Sequence, residues 1–275
     1  MIKHLFSDMD GTLLNPAGQV TAATAAALKA ANLPLTLVSA RAPMEMLATI
    51  EALKLTGPQI GFNGGLIFKA APSGWTTISA RTIPLPTARQ LLLTLAEQVP
   101  ALSISFYDQN RWYAPRQDEG IRFEARLTGQ TPVIAPLTTL LAQPALQVFK
   151  IMLIAFDKQV MHQAQTVVKA LALPNIKPQQ SGAAYLEITS DEALKSRGIA
   201  YLMNQLNLTQ AEVAGFGDGH NDLPMLNMMG LPVVMANAAP AVKAVAAYLT
   251  KSNAEDGVAY ALQHCADLRP RRKEA

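Results

Sequence analysis

Acidic residues gather at two places in this 275-residue sequence. The first is "HLFSDMDGTLLN", where Asp8 and Asp10 stand one residue apart as an apolar run gives way to a glycine. The second is "GFGDGHND", which supplies Asp218, Asn221 and Asp222. Alone, Asp10-Gly11 is ordinary turn chemistry, so the N-terminal pair reads either as a chain reversal or as a site. Brought to one place, the four carboxylates repel strongly. At an effective dielectric near 20, two unit charges about 4 Å apart interact by about 4 kcal/mol. A cation among them removes that cost. Oxygen-only ligands with retained waters suit a hard divalent ion, Mg²⁺, and Mg²⁺ on carboxylates suits a phosphorylated substrate. No cluster of Cys or His offers a softer metal a site. Such an ion offsets the repulsion between an attacking carboxylate and a phosphate and stabilises the transferring group. One aspartate can then act as nucleophile and form an aspartyl-phosphate. A second, two residues on, can act as general acid and then as base for water.

Whether the acids meet depends on the elements that carry them. "IKHLFSD" is a short apolar run followed by the turn residues "NPAG". A helix is predicted over 21–31 with Thr21 as its N-cap, then the apolar run "LPLTLVSA", a helix over 43–53, and the run "QIGFNGG". Strands that are apolar for most of their length and alternate with helices indicate a parallel sheet covered on both faces. In such a sheet ligands bind at the carboxyl ends of the strands. Those ends carry Asp8 and Asp10, then Ser39, then Asn63, then Asp218, Asn221 and Asp222.

The middle of the chain has a different rhythm. "TARQLLLTLAEQ" and "EGIRFEARL" are helical, whereas "LSISFY", "RWYA", "LQVFKIMLIAF", "IKPQQ" and "AYLEIT" are strands, some adjacent with no helix between. That pattern indicates an α+β unit with an open, largely antiparallel sheet. The alternation resumes after Asp191 with a helix over 194–206, "EVAGFGD", a short helix, "LPVVMAN" and a final pair of helices. The expected organisation is therefore a discontinuous α/β core, a doubly wound parallel sheet formed by residues 1–82 and 187–275. A second, inserted α+β domain occupies residues 83–186.

Composition narrows the functional classes. Half of the residues are hydrophobic and 16% are charged, ample material for a large core. No apolar run has the length of a membrane span, and the N-terminus lacks the order of a secretory signal. The single Cys265 makes no internal disulfide, which suits a reducing cytoplasm. The net charge of +3 resides in the terminal "RPRRKE", a solvated tail, and the rest is neutral overall, which argues against a nucleic-acid-binding face. Cys265, Met225, Met228 and Met229 are expected in the core, and His220 at the surface.

The ordered strings "DMDGTLL", "LVSAR", "LKSRGIAYL" and "GFGDGHNDLPML" resemble the four signatures of the haloacid dehalogenase superfamily of phosphohydrolases. "GFNGGLIF" and "VVMANAAPAVKAVAAYLTKSNAEDGVAYAL" are similar to its Cof-type branch, which carries an α/β cap inserted after the third core strand. The resemblance covers nearly all of both core segments. It implies that Asp8 is the nucleophile and a metal ligand, and that Asp10 is the general acid/base and a ligand through its carbonyl. It implies that Ser39 and Lys195 hold phosphate oxygens, that Asp218 completes the ligand set with Asp222 supporting it, and that Asn221 contacts the phosphoryl group or the Ser39/Lys195 pair. Arg41, Asn63 and Gly64, within or beside the signatures, join the phosphate- and substrate-binding set. Three departures stand out: Ala40 where the second signature carries glycine, Ser196 after the lysine, and Ala236 where the branch has "GNA". None removes a required group. The implied function is an Mg²⁺-dependent phosphatase of small phosphorylated metabolites. Sugar phosphates lead, with flavin mononucleotide and pyridoxal phosphate as further candidates, and a monomer or weak homodimer is expected. A phosphosugar mutase and a non-catalytic metabolite-binding regulator are the alternatives.

Overall fold

The computed structural model describes residues 1–71, 74–143 and 145–268, so the basic tail lies outside the described residues. Along the chain the first elements are β1 (His4–Ser7), α1 (Ala22–Ala31), β2 (Leu35–Leu37), α2 (Pro43–Ala52), β3 (Pro58–Gly61), β4 (Leu66–Ala71) and β5 (Gly74–Ala80). The middle holds α3 (Leu85–Gln98), β6 (Ser103–Tyr107), β7 (Trp112–Ala114), α4 (Glu119–Thr128), β8 (Val133–Ile134), α5 (Leu137–Leu141), β9 (Lys150–Ile154), α6 (Lys158–Leu171), β10 (Lys177–Gln180) and β11 (Tyr185–Thr189). The last third holds α7 (Lys195–Gln205), β12 (Val213–Gly217), α8 (Leu223–Leu226), β13 (Leu231–Val234), α9 (Pro240–Lys243), β14 (Tyr248–Leu249) and α10 (Gly257–His264). The described residues fall into two compact units, one within 1–40, 46–78 and 194–268, the other within 41–45 and 79–193.

The first unit is a doubly wound α/β core. Its five strands run in the order β14-β13-β12-β1-β2, and every pairing is parallel. β1, β2 and β12 are buried along their whole length, which is why they appear in the sequence as continuous apolar runs. Thr21 caps α1 as expected, accepting from the Thr24 amide at 3.0 Å. Phe6, Ile60, Ile199, Val213, Met225 and Met229 belong to one buried cluster, and Met228 packs against it. Cys265 is buried as well.

β3 departs from a simple fourth neighbour of the sheet. It pairs antiparallel with β4, and β3-β4-β5 form a separate three-stranded sheet. Its link to β2 is partly a side-chain one: Gln59 Oε1 accepts the Leu37 amide at 2.7 Å, and the Ser39 amide reaches the Ile60 carbonyl at 2.9 Å. β4 and β5 are absent from the sequence expectation; β5 is largely exposed and lacks a buried stripe.

The second unit is an α+β sheet in the order β10-β11-β9-β6-β7-β8, antiparallel except for β7-β8. The face carrying Ile104, Phe106, Ile151, Leu153, Leu186 and Ile188 packs on α3 and α6 through Leu91, Leu95, Met161 and Ala164. The expected boundary at 186/187 falls inside β11, which is registered to β9 through Glu187 and Met152. The compact unit closes only after that strand, at Ala193. Among the described residues no helix is long and apolar enough to cross a membrane.

One buried ionisable group lies on β1, away from the acids. His4 is 5% exposed, and its Nε2 is 3.0 Å from Thr36 Oγ1. The Thr36 hydroxyl donates to the Pro58 carbonyl, so its oxygen accepts from a neutral His4 Nε2–H. Burial lowers the imidazole from 6.5 to about 4. The unfolded chain therefore takes up a proton as pH falls below about 6.5, while the folded chain resists until about 4. Stability is complete above that window and declines as pH falls through it, by up to about 3 kcal/mol. His4→Gln should flatten this part of the acid limb in urea titrations between pH 7 and pH 4.

Candidate active site

Because β12, β1 and β2 are adjacent and parallel, their carboxyl ends place Asp218, Asp8 and Ser39 along one edge of the sheet. The Asp8 amide still pairs with the Phe216 carbonyl at 3.0 Å, so the nucleophile candidate sits on the last rung of the ladder. Beyond it the chain turns. Asp10 (φ −77°, ψ 123°) and Gly11 (φ 78°, ψ −5°) have the central dihedrals of a type II turn. The Leu14 amide closes the segment on the Met9 carbonyl at 2.9 Å. Gly11 is required twice over, by its positive φ and by space: a Cβ there would lie 2.3 Å from Asp218 Oδ2. Asp8 ends up buried and Asp10 exposed.

Lys195, the first residue of α7, is 3% exposed and forms two ion pairs. Its Nζ lies 2.5 Å from Asp8 Oδ1 and 2.7 Å from Asp222 Oδ1. Burial pushes the Asp8 carboxyl up, and the Lys195 ammonium beside it pulls it back down. Burial also pulls Lys195 down, but the two carboxylates outweigh it and hold the ammonium above its ordinary range. Across so short a contact, the charged form of Lys195 is the state that the geometry favours. Asp222 is fully engaged. Its Oδ2 accepts the amides of Asp218 (3.1 Å) and Gly219 (2.9 Å). Asp218 is held differently, by neutral donors: Thr12 Oγ1 donates to Oδ1 (2.7 Å) and Asn237 Nδ2 to Oδ2 (3.1 Å). Burial raises the Asp218 carboxyl, and the Thr12 hydroxyl partly reverses this.

Oxygens of Asp8, Asp218 and Asp222 lie within 4.8 Å of one another. Three carboxylates against one ammonium leave an excess of two negative charges, and every donor atom is a hard oxygen. That donor set fits a divalent cation of the Mg²⁺ type. The hydrogen-bond donors to Asp218, Thr12 and Asn237, are uncharged, so they orient its carboxylate without cancelling charge.

A family model described as haloacid dehalogenase-like hydrolase matches residues 5–262. The chain belongs to this family. It is 28% identical over 272 residues to a Haemophilus influenzae protein carrying the name of a phosphatase, covering 96% of this chain and 98% of that one. A Bacillus subtilis 5-amino-6-(5-phospho-D-ribitylamino)uracil phosphatase is 25% identical over 288 residues, covering 94% and 96%. The solved structure of a haloacid dehalogenase-like hydrolase from Bacteroides thetaiotaomicron superposes with a TM-score of 0.85 at 26% identity, covering 96% of this chain and 99% of that one.

Of the residues expected in the site of this hydrolase, Asp8, Lys195 and Asp222 are in direct contact, and Asp218 adjoins them. Ser39 is buried at the end of β2, and its carbonyl accepts the Asn63 amide at 2.8 Å. Gly64 has φ 98°, and a Cβ there would lie 2.2 Å from the Leu194 carbonyl oxygen, so this glycine admits the start of α7 and with it Lys195. Asn221 and His220 are exposed on the turn after Asp218. Arg41 falls in the other compact unit, where its Nη1 donates to the Glu45 carbonyl at 3.3 Å. Thr12 and Asn237 are the contacts that sequence reasoning missed. Thr12 stands inside the first signature and Asn237 inside "ANA", yet an uncharged polar side chain carries no arithmetic that assigns it to a carboxylate.

Lys195→Met would leave two buried carboxylates facing each other without their cation. Loss of one partner from a buried pair costs about 3–5 kcal/mol. Denaturant titration of K195M without added metal should show a loss of that size at pH 7. Wild-type stability would mean that the bridge is not formed.

Proposed function

We propose that the chain is an Mg²⁺-dependent phosphatase of small phosphorylated metabolites, working through an aspartyl-phosphate at Asp8. The observation that carries the reading is the buried Lys195 bridge between Asp8 and Asp222, with Asp218 alongside. Asp8, Asp218 and the carbonyl of Asp10 would hold the ion, with Asp222 anchoring Lys195 and the Asp218 backbone. When bound, the ion supplies positive charge beside the phosphoryl oxygens.

The protein groups do the rest. Lys195 grips Asp8 Oδ1 and fixes the rotation of the carboxylate. Asp8 attacks phosphorus as the bond to the ester oxygen breaks, and Asp10 gives its proton to the departing alkoxide. Asp10, now a carboxylate, takes a proton from water as that water attacks phosphorus. The bond between phosphorus and Asp8 then breaks, releasing inorganic phosphate and restoring both acids. Ser39 and Lys195 would bind the phosphoryl oxygens, and Asn221 would contact the phosphoryl group or that pair.

The substrate class is a sugar or polyol phosphate. Asn63 Oδ1 is buried without a hydrogen-bond partner among the described residues. An orphaned buried acceptor costs about 1–3 kcal/mol, and a substrate hydroxyl removes that cost whereas an ionised phosphate carries no proton to do so. The Bacillus subtilis relative, named for a phosphate carried on a ribityl group, supports the same class. The single, buried Cys265 suits a reducing compartment, and we place the enzyme in the cytoplasm.

Asp8→Asn should lower kcat on an aryl phosphate by at least about 10³-fold. Asp10→Asn should lower it by about 10²–10⁴-fold. Chelation should abolish turnover and Mg²⁺ restore it. Wild-type rates in D8N with Mg²⁺ would overturn the mechanism. Asn63 itself has φ 55°, which glycine also adopts, so Asn63→Gly removes the amide without straining the turn. N63G should raise KM for glucose 6-phosphate about five- to tenfold, with little change for p-nitrophenyl phosphate. Equal KM changes for both substrates would refute the hydroxyl contact.

A further inference from the structure

Asn237 follows β13 and lies outside both acidic clusters of the sequence, yet every polar group of its side-chain amide is committed at the site. Its Nδ2 donates to Asp218 Oδ2 at 3.1 Å and to the Gly11 carbonyl at 2.9 Å. Its Oδ1 accepts the Asn253 amide at 3.1 Å. The three contacts also fix which way round the amide lies, because the Asn253 N–H requires the oxygen on its side. Asn253 is anchored in turn, its Nδ2 donating to the Leu14 carbonyl at 2.8 Å. Leu14 and Gly11 belong to the segment that carries Asp10, so the two asparagines tie that segment to the Asp218 carboxylate.

We propose that Asn237, backed by Asn253, is a positioning residue that sets the orientation of Asp218 and with it the affinity of the site for a divalent cation. This rests on the metal-dependent reading given above. Thr12 holds one oxygen of Asp218 and Asn237 the other. Both donors are neutral, so the carboxylate is immobilised without being neutralised, and each oxygen keeps a lone pair. A free carboxylate would have to give up rotation on binding the ion, whereas this one has already done so. Partners that orient a metal-binding carboxylate in this way typically affect affinity by about 10–100-fold. Asn237 is exposed, so its role is not that of a core-filling side chain.

Asn237→Leu keeps a similar volume and removes all three contacts, and Mg²⁺ affinity is read directly by calorimetric titration of the full chain without substrate. N237L should bind Mg²⁺ about 10–100-fold more weakly than wild type, with the metal-free thermal midpoint unchanged. Asn253→Ala, which retains the backbone amide but frees its anchor, should weaken binding in the same direction by a smaller factor. It also serves as the test if N237L does not fold. Binding by N237L within twofold of wild type would overturn the proposal, as would a fall in affinity matched by a fall in the metal-free midpoint. Absence of Mg²⁺ binding by the wild-type protein would instead bring down the metal-dependent reading on which it rests.

Discussion

One ammonium group organises the site. Lys195 is buried, and it begins a helix, where the aligned peptide dipoles disfavour a cation. Desolvation and dipole both act against it, and only the carboxylates of Asp8 and Asp222 at 2.5 and 2.7 Å offset them. The dependence runs both ways, because without Lys195 those acids would be buried like charges. The surrounding chain is shaped to allow the bridge. Gly64 lets the backbone before α7 come close, and Asp222 is itself steadied by two backbone amides. A buried ion pair is weak evidence for stability in general. Its meaning here is geometric, since it fixes one oxygen of the Asp8 carboxylate.

The remaining acid is treated in the opposite way. Asp218 is positioned by a hydroxyl and an amide, donors that orient without cancelling charge. The cluster thus divides into a portion neutralised by protein and a portion left for a cation. Had a second lysine taken the place of Asn237, the excess of negative charge would fall and a divalent ion would gain less on entering.

Much of this architecture was legible because parallel strands buried on both faces leave continuous apolar runs. "HLFS", "LTL" and "VAGFG" are such runs, and the acids follow directly upon the first and last. β5 was not legible, since its exposed residues carry no stripe to read. Lys195 illustrates the limit from another side. By residue type alone a helical lysine belongs in water, and only the resemblance of "LKSRGIAYL" to a known signature placed it at the site. Thr12, Asn237 and Asn253 escaped because their function arises from three segments meeting in space. Arg41 was grouped with the phosphate set by its neighbours in "LVSAR", and it is the residue at which the chain passes from one compact unit to the other.

The N-terminal pair of aspartates resolves a choice that sequence alone leaves open, between a turn and a site. The type II turn at Asp10-Gly11 is what separates the environments of two acids only one residue apart. Asp8 stays on the last rung of β1, buried and gripped, which suits the nucleophile proposed for it, since the angle of approach must be set before reaction. Asp10 is carried out to solvent, which suits the acid/base role proposed for it, since such a group exchanges a proton with water in every cycle. An extended chain would alternate side chains and place residues 8 and 10 on the same face of the sheet. The turn breaks that alternation, and Gly11 is the residue that permits it. Turn chemistry and the proposed catalytic chemistry are therefore one feature of the chain, the first supplying the geometry on which the second would depend.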